Sequence, residues 1–169
     1  MIGDLMPIGI IACAFGQQKM NTAGPSNEAI GQVALQIKRQ QDAVISTQWE
    51  VDSYLRSINK PADNVTSVYG SESHYVSTEE VFKRSFEYFG TKDVTDVVVV
   101  AQPMHLFVIR LVMKDLMNNS GLHFRKDFDR LMRSIPFDQS NGNQQPWTRG
   151  PIRFGAYLVR VKLTGTHGS

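Results

Sequence analysis

The chain alternates short, unbroken apolar runs with longer stretches in which apolar residues return every three or four positions. Residues 8 to 15, IGIIACAF, run without polar interruption up to Gly16, which predicts a strand buried on both faces. After the polar GQQKMNTAG, Pro25 and Ser26 open a segment in which Ala29, Ile30, Val33, Ala34 and Ile37 share one helical face. A second strand is expected over DAVIST, residues 42 to 47, and a helix over QWEVDSYLRS, where Val51, Tyr54, Leu55 and Ile58 align before Pro61. A third strand, VTSVY over 65 to 69, leads through the turn-like GSESHY to STEE. There Ser77 and Glu80 stand in the capping-box relation, and Val81, Phe82, Phe86 and Phe89 form an apolar face that stops at Gly90. The fourth strand, residues 96 to 101, holds four consecutive valines. It runs through Gln102 and Pro103 into a helix over roughly 104 to 117 that is apolar nearly all round, and so is expected to be covered by other elements.

Strands and helices alternating at this rhythm predict an α/β chain: a Rossmann-like three-layer sandwich, with a mostly parallel sheet of about five strands and helices on both faces. Residues 1 to 165 are read as a single domain and 166 to 169 as a flexible tail. The C-terminal region is less regular. RLMRSIPFD is expected to supply the fifth strand and SNGNQQPWTRGP a loop. In AYLVRVKL, Tyr157, Val159, Val161 and Leu163 alternate with Leu158, Arg160 and Lys162, which favours an edge strand within 151 to 163 over a helix starting at Pro151. Such an apolar edge would offer a surface for pairing into a homo-oligomer.

Composition narrows the function classes. Hydrophobic residues at 41% and charged residues at 20% are ordinary globular usage, and 169 residues suffice for a full core without disulfides or metals. A net charge of +2 builds no field that would gather a phosphate backbone, so nucleic acid is not implied. The single cysteine, Cys13, lies inside an apolar run and reads as a buried, inert thiol in a cytoplasmic protein. The opening MIGDLMPIGIIACAF carries Asp4 where an export signal has basic residues, and its apolar run is too short to span a membrane. Dinucleotide, P-loop, hydrolase-elbow and zincin motifs are all missing, and four scattered histidines with one cysteine make no metal site.

In an open α/β sheet, ligands collect beyond the carboxyl ends of the strands, where helix N-termini present free N–H groups. That rule selects Gly16, Gln17 and Gln18 after the first strand, Thr47, Gln48 and Glu50 after the second, Ser71 to Ser77 after the third, and Gln102 to His105 after the fourth. His105, on the first turn of its helix, would be kept neutral by the helix dipole and could exchange a proton or hydrogen-bond a ligand; the competing reading is a histidine that caps or packs. Glu80 is the candidate second catalytic group, although a carboxylate there also completes a cap. Glu50 has no capping role to account for it. Arg110 lies on an otherwise apolar helix and needs an anionic partner, either a ligand phosphate or, as the favoured reading, an internal acid such as Asp96 or Glu80. His74 could fold over the site, and Trp147 could serve as a binding platform or a loop anchor.

The succession of STEEV, an apolar strand and AQPMHLFVIR resembles the SanA, YdcF and ElyC family of bacterial α/β domains, with SNGNQQPWTR similar to a segment some members carry near the C-terminus. Thr78 and Glu80 match the family's Thr-x-Glu helix start, and Gln102, His105 and Arg110 approximate its later polar corner. Val81 stands where the family has Asn, and the glycine-rich turn after the first strand is reduced to Gly16 and two glutamines. The resemblance implies a Rossmann-like sheet with a pocket for a small nucleotide-like or phosphorylated molecule, with S-adenosylmethionine or another nucleotide as a cofactor candidate. The alternative is a non-catalytic interaction or regulatory domain whose pocket has degenerated.

Overall fold

The computed structural model describes residues 6–16, 22–66, 76–139 and 145–164. Five strands, β1 (Ile8–Ala12), β2 (Ala43–Thr47), β3 (Asn64–Val65), β4 (Asp96–Val100) and β5 (His123–Arg125), form one all-parallel sheet in the order β3-β2-β1-β4-β5. Between them run α1 (Gly24–Gln40), α2 (Trp49–Ser57), α3 (Thr78–Gly90), α4 (Pro103–Val112) and α5 (Lys114–Asn119), and α6 (Pro151–Thr164) follows the sheet. This is the expected Rossmann-like three-layer α/β fold.

The centre of the sheet is where the sequence is most apolar. In β1, Ile10, Ile11 and Ala12 are fully buried, and β4 buries all four valines, as strands covered on both faces must. Ile8 pairs with both Ala43 and Asp96, so the three central strands begin level and their carboxyl ends emerge on one rim. Helix α3 lies close on β1: a Cβ placed on Gly9 would come within 2.7 Å of the Phe89 ring, so only glycine allows this approach. Its start is as expected, with the Ser77 hydroxyl accepting the Glu80 N–H at 3.2 Å.

Three expectations need correction. The fifth strand is not in RLMRSIPFD, where Asp129–Ser134 makes a 3-10 turn; it is the three residues His123–Arg125, which pair with Asp96, Val97 and Val98. The segment from Pro151 is helix α6, not an edge strand. Phe154 is buried while Tyr157 and Leu158, three and four residues on, pack against the core, whereas Ile152 stays exposed. The expected helix over 104 to 117 is broken at Met113 into α4 and α5, and among the described residues nothing covers its outer side: Leu106 and Ile109 face inward, but Phe107, Leu111 and Val112 are exposed.

Candidate functional site

The rim at the strand carboxyl ends is assembled from corners that hold one another. Cys13 extends β1 by donating its N–H to the Val100 carbonyl at 2.8 Å. The next two amides are taken by side chains from elsewhere: Ala14 N–H donates to Gln48 Oε1 at 2.9 Å, and Phe15 N–H to Asn27 Oδ1 at 2.8 Å. Asn27 is fully buried, and its amide nitrogen donates to the carbonyls of Gly16 and Ala23, both at 2.8 Å. Gly16 turns the chain with φ of 85°, a left-handed conformation that disfavours any side chain. The β1 corner is thus clamped by the β2 corner on one side and by α1 on the other.

At the β2 corner, Thr47 is fully buried and its hydroxyl donates to the Ala12 carbonyl at 2.6 Å, which makes it a cross-strand tie. Gln48 precedes α2 without capping it, because its side chain is committed to Ala14. The first turn of α2 then buries two acids with opposite fates. Asp52 is satisfied, accepting from Ala62 N–H at 2.9 Å and from Arg56 Nε at 2.5 Å. Glu50 is only 9% exposed, and its Oε2 is buried without a hydrogen-bond partner. Burial pushes its carboxyl from 4.5 up to about 7, only partly offset by a hydrogen bond from its own backbone.

At the β4 corner, Gln102 caps α4, its Oε1 accepting from the N–H groups of Met104 at 2.8 Å and His105 at 3.3 Å. The His105 ring lies 5.4 Å from Phe15 and 6.4 Å from Phe154, centroid to centroid, and its Nδ1 is buried without a partner. The imidazole is driven from 6.5 down to about 4, and the cause is desolvation by burial, not the helix dipole expected from the sequence. It is neutral at physiological pH.

The remaining expected residues lie apart from this group. Glu80 pairs with Arg84 at 2.7 Å on a half-exposed surface, and Arg84 also donates to the Thr66 carbonyl just past β3, so Glu80 belongs to the β3 side of the rim. With β2 and β1 between β3 and β4, that is roughly 14 Å of sheet away from the corner carrying His105, too far for a joint acid/base pair. Arg110 has an internal partner, but it is Asp129 and neither Asp96 nor Glu80: two parallel hydrogen bonds of 2.7 Å join the guanidinium to the carboxylate. Ser77 is an exposed cap, Thr78 opens α3 half-buried, and Trp147 stacks on Tyr157 at 4.9 Å as a loop anchor does. Gln17, Gln18, residues 67 to 69 of the expected third strand, residues 71 to 75 with His74, and the 166 to 169 tail lie outside the described residues.

Sequence reasoning missed Phe15, Asn27 and Phe154, and it took Gln48 for a ligand contact where the side chain instead holds Ala14. Asn27 had a usable signal, a buried-face polar residue one turn into a helix; Phe154 had none, since its approach to His105 spans forty-nine positions. A separate cavity of about 210 Å³ is lined by Leu35, Lys38, Arg39, Ile45, Lys60 and Pro61. It lies by the last turn of α1, whose negative dipole end disfavours an anion, and Lys38 is already held by Asp63 at 2.6 Å. Among the described residues no cluster of His, Cys, Asp and Glu could hold a metal ion, and no helix is long and apolar enough to cross a membrane.

No protein-family model, curated protein or solved structure matches this chain.

Proposed function

We propose that the protein binds a small nucleotide-like or phosphorylated molecule at the carboxyl ends of its strands, with Glu50 as the principal polar contact. The observation that carries this reading is the Glu50 Oε2 atom, buried without a partner on the rim where such sheets bind ligands. A lone buried carboxylate oxygen costs stability unless something meets it, and a ligand hydroxyl or amide would. Because burial lifts this carboxyl to about 7, much of it is protonated near neutrality, so it can also donate to a phosphate oxygen without like-charge repulsion. His105, neutral and with a free Nδ1, suits hydrogen bonding better than proton abstraction at that pH. The positive dipole ends of α3 and α4 would favour an anionic moiety, the Met104 and His105 N–H groups being already taken by Gln102 Oε1. Relationship to the SanA, YdcF and ElyC family belongs to this proposal, on the strength of Thr78, Glu80, Gln102, His105 and Arg110. So does a cytoplasmic setting, in keeping with the buried thiol of Cys13.

The second reading, a non-catalytic interaction or regulatory domain, draws on two observations: Arg110 is committed to Asp129, and Phe15 and Phe154 pack against His105. Thermal shift against nucleoside monophosphates, S-adenosylmethionine and sugar phosphates separates the two. Stabilisation by one of them that is weakened in Glu50→Ala supports the ligand site. A flat response across the panel favours the interaction domain.

A further inference from the structure

Helix α4 carries an apolar surface that the rest of the described chain leaves open. Phe107, Leu111 and Val112 are 70%, 67% and 58% exposed, and Met104 and Val108 are half-buried beside them. Met104, Phe107, Val108, Leu111 and Val112 recur at i, i+3, i+4, i+7 and i+8, which puts them in one stripe along the outer side of the helix. In paired helices that spacing is the seam.

Charge and area decide what covers it. Between Met104 and Met113 the only ionisable side chains are His105, which is neutral, and Arg110, whose charge is taken up by Asp129. The stripe therefore presents no uncompensated charge. A surface that meets its own copy must be self-complementary, and an uncharged stripe satisfies that without like-charge repulsion. An anionic bilayer, in contrast, is read by a basic border, and the first charges past the stripe, Lys114 and Asp115, are adjacent and opposite in sign. With an aromatic side chain contributing on the order of 200 Å² when covered, the three exposed side chains offer roughly 350 Å² of apolar area. That is about half of the ~800 Å² each partner gives to a stable interface, enough for the apolar centre of a weak, reversible dimer.

We propose that a second copy of the chain docks here, two α4 helices packing antiparallel across a two-fold axis so that Phe107 of each copy lies against Leu111 of the other. This surface is independent of the ligand site. It also differs from the edge pairing expected of the C-terminal segment, which is helical.

Sedimentation velocity on the full chain across the micromolar range is the test. The wild type should show a concentration-dependent monomer–dimer equilibrium, and Phe107→Glu and Leu111→Glu should each weaken it at least ~10-fold. Their melting temperatures should match the wild type, because both side chains are mainly in solvent. Ile152→Glu, at an 87% exposed position on α6, is the control and should leave association unchanged. A wild type that stays monomeric, or a dimer that survives Phe107→Glu and is lost with Ile152→Glu, overturns the proposal. So does a monomeric wild type that floats with phosphatidylcholine or phosphatidylglycerol vesicles in a Phe107-dependent manner, which would make the stripe a membrane contact.

Discussion

Replacing Glu50 by glutamine keeps the size of the side chain and removes its ability to ionise, so it isolates the cost of burying that carboxylate. In the unfolded chain the group titrates near 4.5; in the folded protein burial holds it at about 7. Between those values the folded protein keeps a proton that the unfolded chain has released, so raising the pH favours unfolding. The stability attached to the protonated form is complete below 4.5 and is lost as pH rises to about 7. At about 1.4 kcal/mol per pH unit, a rise from 4.5 to about 7 is worth on the order of 3 kcal/mol. Glutamine resembles the protonated acid at every pH and escapes that loss. Wild type and Glu50→Gln should therefore melt together at the acid end, and the variant should melt higher at pH 8 by roughly 8 °C for a chain of this size. His105 adds an opposing slope. Its pKa falls from 6.5 to about 4 on folding, so its contribution is present above 6.5 and is lost as pH falls towards 4. The two slopes oppose each other between 4.5 and 6.5, leaving the wild-type melting curve nearly flat there as far as these groups are concerned. Glu50→Gln should uncover a melting temperature that rises with pH in that window. Calorimetry from pH 4 to 8 reads both effects. An offset between wild type and variant that is the same at every pH, or a variant less stable at pH 8, would mean that Glu50 is solvated or paired and that the site argument has lost its support.

Asn27→Ala removes three buried hydrogen bonds, to Phe15, Gly16 and Ala23, and should cost about 2–4 kcal/mol in guanidinium unfolding; a loss below about 1 kcal/mol would show that the β1 corner is held by other means. Gly9→Ala should destabilise by about 1–3 kcal/mol because its Cβ would press on the Phe89 ring, and Phe89→Leu in the same chain should recover part of that; no loss would mean that α3 sits further from β1. The Cys13 thiol, raised to about 12 by burial, should resist a thiol reagent in the folded protein and react fully in denaturant; rapid labelling under native conditions would contradict its burial.

What could be read from the sequence follows the range of the interactions involved. Strands β1 and β4 announced themselves because a strand buried on both faces needs an unbroken apolar run, and the start of α3 was legible because its cap is local. The C-terminal segment satisfied two periods at once. In the sequence Tyr157, Val159, Val161 and Leu163 alternate with Leu158, Arg160 and Lys162 as a strand would, yet Phe154, Tyr157 and Leu158 also share a helical face, and packing around Phe15 and His105 decides for the helix. Strand β5, three residues long with an exposed histidine, carries no pattern of its own and depends on pairing with β4. Glu50 stood out as an acid without a capping role, but its unpaired oxygen is a tertiary property. Arg110 visibly needed an acid, and nothing local marked Asp129, nineteen residues away, over nearer ones.

The strand order places the reversal of winding between β1 and β4, where an open α/β sheet ordinarily leaves its binding crevice. Here side chains occupy the neighbourhood of that notch: Phe15 from the β1 corner touches His105 from the β4 corner, Phe137 and Phe154, and Phe154 touches His105 in turn. An apolar cluster of this kind accounts for the neutral imidazole without any ligand, so His105 alone is weak support for a site. Glu50 is different, because it follows β2, outside those ring contacts, and burial there leaves one oxygen with nothing to bond. The Gln48 to Ala14 hydrogen bond fixes the β2 corner against the β1 corner, so the unmet Glu50 oxygen belongs to the neighbouring corner, whereas His105 Nδ1 is the unpartnered atom within the aromatic cluster. A ligand that answers Glu50 would then meet the cluster as an apolar wall, and its polar contacts would come from the β2 side of the sheet.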